Sequence, residues 1–221
     1  MPTNILSIQP RRQNFRTSTN ADWLDGLLVY QAGSGGVVAA EKNVGNGSLS
    51  VASVGSGTAL GVHIVSVTSV DNSPRLTVQD PTGAVVARGV VGLPLFASGI
   101  TFTVTSGATA FAVDDTFFIS ILPIPIDIAG INFDMQVRLE PTDPNVRFSA
   151  TSHPASSSVV PTIVTGGAGG QVAMRVLYTS LSASNLPTGT YDYDLLASAD
   201  GLRVVAFYGT IEHVNGVTFL P

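Results

Sequence analysis

The sequence predicts an all-β fold made of two sandwich-like or barrel-like domains. Apolar and polar residues alternate over short stretches that end at turn residues, as is typical of half-buried strands. The chain holds 23 Gly and 13 Pro among many Ser, Thr and Val residues, a turn-dense and β-branched composition. Apolar residues rarely recur at the three-and-four spacing of an amphipathic helix. These observations together favour strands over helices along almost the whole chain.

Five predicted strands follow one another in the middle of the chain, with turn residues between them. They lie within residues 61–70, 74–81, 84–92, 100–107 and 116–121. The segment DPTG at 80–83 has Pro at its second position and Gly at its fourth, which predicts a type I turn between two of them. Alternation within the fourth strand turns Ile100, Phe102 and Val104 inward and leaves Thr101 and Thr103 on the other face.

The later part of the chain carries its own strand signals. Asp200-Gly201 predicts the reversal of a hairpin. In INFDMQVR, Phe133, Met135 and Val137 alternate and are expected in a core. An exception to the all-strand pattern is Tyr178–Gly189, where a short helical or 3₁₀ turn is expected before Pro187.

Three stretches have the composition of connections rather than strands. Ala32–Gly47 is rich in Gly, and Leu122–Gly130 carries two prolines, so both are predicted to be linkers. The segment between them is compact in pattern and is expected to form its own domain. Thr151–Gly170 is predicted to be an exposed loop, since its Ser, Pro and Gly disfavour long strands.

Charge and cysteine content exclude several classes of function. The net charge is −5, with the single lysine Lys42 and nine arginines, so a nucleic-acid-binding surface is not expected. Arg11, Arg12 and Arg16 cluster near the N-terminus and are interpreted as a solvated arm or a subunit contact. The chain has no cysteine, so neither disulfides nor thiolate metal sites are available.

Targeting signals are not expected either. The first fifteen residues lack a basic segment followed by an apolar run, so they do not form a signal peptide. No stretch approaches the roughly 18 uninterrupted apolar residues of a membrane span. A soluble protein without a secretion signal is the expectation.

Histidines and serines offer little support for catalysis or metal binding. The histidines are His63, His153 and His213. They are scattered, without neighbouring acids at metal-ligand spacing, and structural roles are expected. Three serines lie at alternate positions, Ser180, Ser182 and Ser184. They lack the flanking glycines of a nucleophile elbow.

Two pairs of acids, and one tryptophan, have both a functional and a structural interpretation. Asp192 and Asp194 project from one strand face and could bind a cation or serve glycoside hydrolysis, but a solvent-facing strand surface is favoured. Asp114-Asp115 is interpreted as a turn rather than an acid–base pair. Trp23 is expected to anchor a core, with a sugar-stacking platform as the alternative.

Residues 44–121 carry an ordered set of four motifs, Gly45–Ser48, Leu76–Gly83, Gly99–Val104 and Phe111–Phe117. This set resembles the lambda-type head-decoration family of tailed bacteriophages. This sequence departs from the family at Asp114, where glycine is usual, and at His63, where an aromatic or aliphatic residue is common. The resemblance implies a small β domain that clamps a capsid shell, and a threefold arrangement.

The flanking residues carry a second set of segments, Pro125–Pro141 and Ala183–Thr218, preceded by a first strand at Asn14–Gln31. These segments resemble small β-sandwich domains of phage tails and baseplates. In that family a short turn joins this first strand to the PIDL-like segment, and here the decoration-like segment replaces the turn. The resemblance therefore implies that residues 1–33 and 122–221 form one sandwich, with residues 34–121 inserted into its hairpin.

These inferences lead to one expected function and two alternatives. The expectation is a bacteriophage virion protein without catalysis, which joins or stabilises subunits in the tail, baseplate or adaptor region. The alternatives are a capsid decoration protein and a receptor- or polysaccharide-binding module. No catalytic, cofactor or metal site is expected. The expected partners are other virion proteins in a homo-oligomer that the decoration relatives suggest is a trimer, without nucleic acid or membrane. Assembly would take place in the host cytoplasm.

Overall fold

The chain divides into two compact units in a computed structural model that describes residues 4–156, 160, 162–182 and 185–217. Residues 1–30 and 125–221 belong to one unit, here called the discontinuous unit. Residues 31–124 form the other, called the inserted unit. The division falls three residues further out on each side than the boundaries at 33/34 and 121/122 expected from the sequence.

Strands dominate both units, as the sequence predicts, and the all-β fold class is confirmed. The described residues form seventeen strands: β1 (Arg11–Arg12), β2 (Phe15–Ser18), β3 (Gly26–Leu28), β4 (Tyr30–Ala39), β5 (Ser48–Val54), β6 (Gly61–Ser69), β7 (Arg75–Gln79), β8 (Val85–Val90), β9 (Pro94–Ala97), β10 (Ile100–Thr105), β11 (Thr116–Pro125), β12 (Asn132–Arg138), β13 (Phe148–Thr151), β14 (Ile163–Thr165), β15 (Gln171–Met174), β16 (Gly189–Ala199) and β17 (Leu202–Val214). Short 3₁₀ helices occupy Asn4–Ser7, Gly167–Gly169 and Tyr178–Ser180. No helix in these described ranges is long and apolar enough to cross a membrane.

The discontinuous unit is a two-sheet, sandwich-like arrangement. Its larger sheet has the order β1-β17-β16-β12-β13, with β2 also paired to β17, and its smaller sheet has the order β14-β15-β3. The long β16–β17 hairpin reverses at Asp200 and Gly201, which both have positive φ, at the predicted turn. Phe133, Met135 and Val137 are buried in the core, as predicted.

The inserted unit repeats this plan with different strands. A five-stranded sheet has the order β4-β11-β6-β7-β8, and a three-stranded sheet has the order β5-β10-β9. The five strands predicted in this region are all present, as β6, β7, β8, β10 and β11. Ile100, Phe102 and Val104 are fully buried, as predicted, and lie in a core with Phe117 and Ile119.

The predicted reversal at DPTG connects β7 and β8. The Gly83 amide donates to the Asp80 carbonyl at 2.9 Å, and Gly83 has a φ of 87°. The Asp80 side chain closes the turn, since its Oδ1 accepts hydrogen bonds from the Thr82 amide, the Thr82 hydroxyl and the Ala84 amide. A local side-chain acceptor at the first turn position is the role in which aspartate is favoured.

Both predicted linkers lie partly in strands, so their interpretation as plain connections is wrong for those parts. The first half of the Gly-rich segment, up to Ala39, lies in β4, and the Pro-containing segment begins within β11, which pairs with β4. A Cβ on Gly33 would overlap the Ile124 side chain, and one on Gly35 would lie 2.6 Å from Leu122 Cδ1. These glycines are therefore required by close packing within a sheet, rather than by a loop. The same pairing brings the two ends of the inserted unit side by side.

Two further expectations in the discontinuous unit are corrected. Thr151–Gly170 is not one exposed loop, because β14 lies within it and Ile163 is buried, while residues 157–159 and 161 lie outside the described residues. The segment expected as a first strand at Asn14–Gln31 is divided between β2, β3 and the start of β4. Short strands interrupted by polar turns gave too little periodicity to predict these divisions.

Candidate functional site

Two of the three histidines are buried within the cores. His63, on β6, is fully buried in the inserted unit, and neither ring nitrogen has a hydrogen-bond partner among the described residues. Burial lowers the pKa of His63, and the nearby Asp80 carboxylate raises it in part. His213 is buried in the discontinuous unit, where its Nδ1 lies 2.8 Å from Thr17 Oγ1. Burial also lowers the pKa of His213, with the Leu181 backbone opposing the shift.

The third histidine lies at the surface beside an acid. His153 Nε2 is 3.6 Å from Asp134 Oδ2, and both side chains are about half exposed. Within the described part of the chain, no group of three or more His, Asp or Glu side chains is placed to hold a metal ion. His153 therefore differs from the two buried histidines in its exposure and in its partner.

Asp115 is a buried structural carboxylate. It accepts hydrogen bonds from the Val44 amide at 2.7 Å and from the Gly45 and Ala112 amides at 2.9 Å. Burial alone would raise the pKa of Asp115, but the three N–H donors together hold it below the usual value. Asp114 has a φ of 73°, the left-handed conformation that glycine adopts easily. The interpretation of this acid pair as part of a turn is confirmed.

The N-terminal arginines do not form a solvated arm. Strand β1, which consists of Arg11 and Arg12, pairs in parallel with β17. Arg11 donates to the Tyr30 hydroxyl at 2.8 Å and to its carbonyl at 3.2 Å, and its guanidinium lies 3.5 Å from the centre of the Tyr30 ring. Arg16 forms an exposed ion pair with Glu212 at 3.5 Å. The arm interpretation fails because β1 pairs with β17, a pairing that the sequence positions of these arginines cannot show.

Trp23 anchors a core, as predicted. It is buried, its ring packs edge-on against Phe15 at 5.1 Å, and its Nε1 donates to Asp25 Oδ2 at 2.8 Å. The serine series is divided: Ser180 ends the last 3₁₀ helix, Ser182 follows it, and Ser184 lies outside the described residues.

Asp192 and Asp194 project from the outer face of β16, as the alternation predicts. Tyr191, Tyr193 and Leu195 are buried on the other face. Burial raises the pKa of the Tyr193 hydroxyl, with the negative charge of Asp194 adding to the shift. The Tyr193 hydroxyl donates to the Gln13 carbonyl at 2.7 Å, so this phenol is a structural hydrogen-bond donor.

A groove of about 520 Å³ runs over this outer face, across β12, β13, β16 and the start of β17. It is called the polar groove here. Its charged and amide side chains are Asp134, Gln136, Arg138, Asp192, Asp194 and Arg203. Gln136, Arg138 and Arg203 were not identified as site residues from the sequence. The alternate positions of Gln136 and Arg138 in DMQVR place them on the face opposite the core residues, but only the order of strands brings them and Arg203 onto the same face as Asp192 and Asp194.

The strand register orders the polar groove into rows. Gln136 lies directly opposite Asp194 on one side and Ser149 on the other, while Arg138 lies opposite Asp192. Arg138 donates to Gln136 Oε1 at 2.8 Å and to the Asp143 carbonyl. Within the described residues, neither Asp192 nor Asp194 accepts a hydrogen bond or forms an ion pair through its side chain. The groove therefore contains carboxylates whose hydrogen-bonding capacity is unused by the protein.

The three-stranded sheet of the inserted unit presents a different kind of surface. No residue of β5, β9 or β10 carries a charge. Its outer side is called the uncharged face. It consists of rows of side chains that the pairing of β5, β10 and β9 places next to one another. These rows contain Ser50, Ser53, Phe96, Thr101 and Thr103.

The uncharged face ends in an edge strand with large exposed apolar side chains. Phe96 on β9 is 68% exposed, and Leu93 in the preceding turn is 60% exposed. Both β5 and β9 are edges of their sheet, so one side of each backbone lacks a neighbouring strand within it. Edge strands usually carry charges that oppose pairing with other chains. Strands β5 and β9 carry no such charge.

Comparisons with known proteins identify no family for this chain. No family model matches it, and no curated protein matches it. Among solved structures, two crystal structures of Xanthomonas campestris FlgL match at 28% and 27% identity, over 42% and 47% of this chain and 32% of theirs. The TM-scores are 0.32 and 0.31. The chain spans about a third of these FlgL chains, and similarity at this level supports no inference about function.

Proposed function

We propose that the protein is a non-catalytic structural component of a tailed-bacteriophage virion. It joins or stabilises neighbouring subunits in the tail, baseplate or adaptor region, after assembly in the host cytoplasm. The two sequence resemblances suggest this class, and the uncharged face is the observation that carries the proposal. Depletion of charge and enrichment in aromatic residues are typical of the centre of a protein interface.

The proposed mechanism is burial of the uncharged face by a neighbouring virion subunit. Covering an exposed Phe side chain contributes about 1.5–3 kcal/mol, and hydroxyls of the Ser and Thr rows supply hydrogen bonds. The unpaired side of β9 or β5 offers backbone groups to a strand of the partner. A homo-oligomer with closed symmetry is the default for such contacts, and decoration relatives suggest a trimer.

Placement of the polar residues supports a role without catalysis. His63 and His213 lie in the cores, where a substrate would not reach them. Asp115 is occupied by three backbone donors. The proposal involves neither nucleic acid nor a membrane, in keeping with the net charge of −5.

Capsid decoration is the second candidate function. It is favoured by one observation, namely that the decoration-like segment and the uncharged face occur in the same unit. Fractionation of purified particles into heads and tails, followed by quantification of the protein in each, separates the two candidates.

The test of the proposal is substitution within the uncharged face. Phe96→Asp places a charge at its most exposed aromatic side chain and should reduce the copy number of the protein on purified particles at least tenfold. Val113→Asp is the matched control, since Val113 is also exposed in the inserted unit but lies outside β5, β9 and β10. A normal copy number for folded Phe96→Asp protein would contradict the proposed contact, and absence of the wild-type protein from particles would contradict the proposed function.

A further inference from the structure

We propose that the polar groove binds an uncharged saccharide chain. This inference goes beyond the proposed structural role, because the groove lies on the discontinuous unit and the uncharged face lies on the inserted unit. Three properties of the groove favour this ligand class: its hydrogen-bonding groups, its apolar surface and its charge.

The hydrogen-bonding groups of the groove match a ligand that is rich in hydroxyls. Each sugar hydroxyl both donates and accepts, so it needs acceptors and donors close together. The carboxylates of Asp192 and Asp194 are unused acceptors, and Arg203 has no side-chain partner among the described residues, which makes it an available donor. Gln136, opposite Asp194, supplies an amide whose Oε1 already accepts from Arg138, and Ser149 supplies a hydroxyl in the same row.

The groove also has apolar surface where a sugar ring could pack. Leu196 is half-buried in the groove, opposite Asp134. Tyr208 lies directly opposite Asp194 on β17, next to the groove, and is 43% exposed. One face of a sugar ring exposes C–H groups, and an aromatic or aliphatic side chain beside hydrogen-bonding groups matches that mixed character. The sequence alone could not pair Tyr208 with Asp194, because the register that joins them follows a bulge in the β16–β17 hairpin.

The charges of the groove select against ionic ligands. Three aspartates face two arginines, and Arg138 is already bonded to Gln136 and to the Asp143 carbonyl. An acidic saccharide would meet these aspartates and a chain of net charge −5. A polycation would meet the two guanidinium groups. An uncharged chain avoids both repulsions.

The dimensions suit a short stretch of saccharide. A volume of 520 Å³ falls in the range of roughly 300–1,000 Å³ that is usual for small-molecule sites. The groove is open to the surface rather than enclosed, so a longer chain could continue past it. Few groups are desolvated in such an open site, and we expect a dissociation constant in the millimolar range.

The experiment is an NMR titration of the isotope-labelled full chain with defined hexasaccharides. The neutral probes are the α-1,4-linked and β-1,4-linked hexamers of glucose and the hexamer of N-acetylglucosamine, and oligogalacturonate is the charged comparison. The expected result is saturable shifts of amides in β12 and β16 with at least one neutral probe. Asp194→Ala and Gln136→Ala should each weaken that binding about tenfold, because a hydrogen bond to the sugar is lost.

The control variant is Asp71→Ala, which removes an exposed aspartate from the inserted unit and should leave binding unchanged. Failure of all three neutral probes to shift these amides would overturn the proposal, as would binding of oligogalacturonate alone. Binding that is equally strong in Asp194→Ala and Gln136→Ala would also overturn it, since the saccharide would then lie elsewhere. None of these outcomes affects the test of the uncharged face, so the two proposals fail independently.

Discussion

The discontinuous and inserted units have similar interiors and different outer surfaces. Each packs a larger sheet against a three-stranded sheet, and each buries an alternating series of apolar residues. Outside, the large sheet of the discontinuous unit carries the polar groove with five charged residues, while the small sheet of the inserted unit carries none. The difference shows that one sandwich plan can carry outer surfaces of different chemistry, because outward positions of a strand are free to vary once the inward ones are set.

The largest expected effects come from the two cores. Phe133→Asp places a charge at a fully buried position and should unfold the discontinuous unit, since an unpaired buried charge is strongly destabilising. Phe102→Ala should lower the free energy of unfolding of the inserted unit by about 3–5 kcal/mol. Urea titration followed by NMR signals from each unit would measure the two effects separately. Thr103→Ala, on the other face of β10, is the control and should change little; equal losses for Phe102 and Thr103 would mean that the strand faces are assigned wrongly.

The buried histidines provide a second comparison between the units. Burial lowers the pKa of His63 and His213, so the folded chain binds fewer protons than the unfolded chain at mildly acidic pH. Above the ordinary histidine pKa of about 6.5, both side chains are neutral in the folded and the unfolded chain, and the full stability is present. As the pH falls below that value, both units should lose stability. Unfolding curves between neutral and mildly acidic pH would measure the loss.

His63→Leu sharpens this comparison, because the ring nitrogens of His63 lack partners whereas His213 is bonded to Thr17. The substitution should remove much of the acid sensitivity of the inserted unit and raise its stability by about 1–3 kcal/mol at neutral pH, since a buried unsatisfied polar group is lost. The acid sensitivity of the discontinuous unit should persist. If acid sensitivity of the inserted unit were unchanged in His63→Leu, another titrating group would have to cause it.

A smaller effect is expected at the DPTG turn. Gly83 has a positive φ, and an added Cβ would meet no atom within 4 Å, so Gly83→Ala introduces backbone strain without a clash. We expect a loss of about 1 kcal/mol in the inserted unit. Thermal unfolding would detect it, with Thr82→Ser, which keeps the hydroxyl that bonds Asp80, as the control. An unchanged melting temperature would show that the turn tolerates a side chain in this conformation.

The smallest effect is expected from Asp192→Asn combined with Asp194→Asn. Both side chains lie on the outer face without protein partners in the described residues, so stability and copy number on particles should stay the same. Gel quantification of purified particles would test this, beside Phe133→Asp, which should remove the protein altogether. Loss of the double variant from particles would assign the two aspartates to a subunit contact.

Alternation and turn chemistry predicted five strands of the inserted unit, and the pattern is clearest in β7 and β10, since each has a buried apolar side and a polar side. They failed for β4, whose glycines are needed to accommodate Ile124 and Leu122, a requirement set by a partner strand far along the chain. The outward position of Asp192 and Asp194 was predictable because apolar and polar residues alternate along β16. The remainder of the groove could not be, since Gln136 and Arg203 reach it only through the order of strands in the folded sheet.

Pairing of β4 with β11 has a consequence for how such a chain could arise. The inserted unit begins at residue 31 and ends at residue 124, and all strands of the discontinuous unit's sheets lie outside that range. At its boundary the Ile126 amide donates to the Val29 carbonyl at 3.0 Å, so residues on either side of the insertion are already adjacent. A gene could therefore acquire, exchange or lose residues 31–124 in one recombination event, while the sheets of the discontinuous unit keep every strand. The polar groove and the uncharged face could then evolve separately.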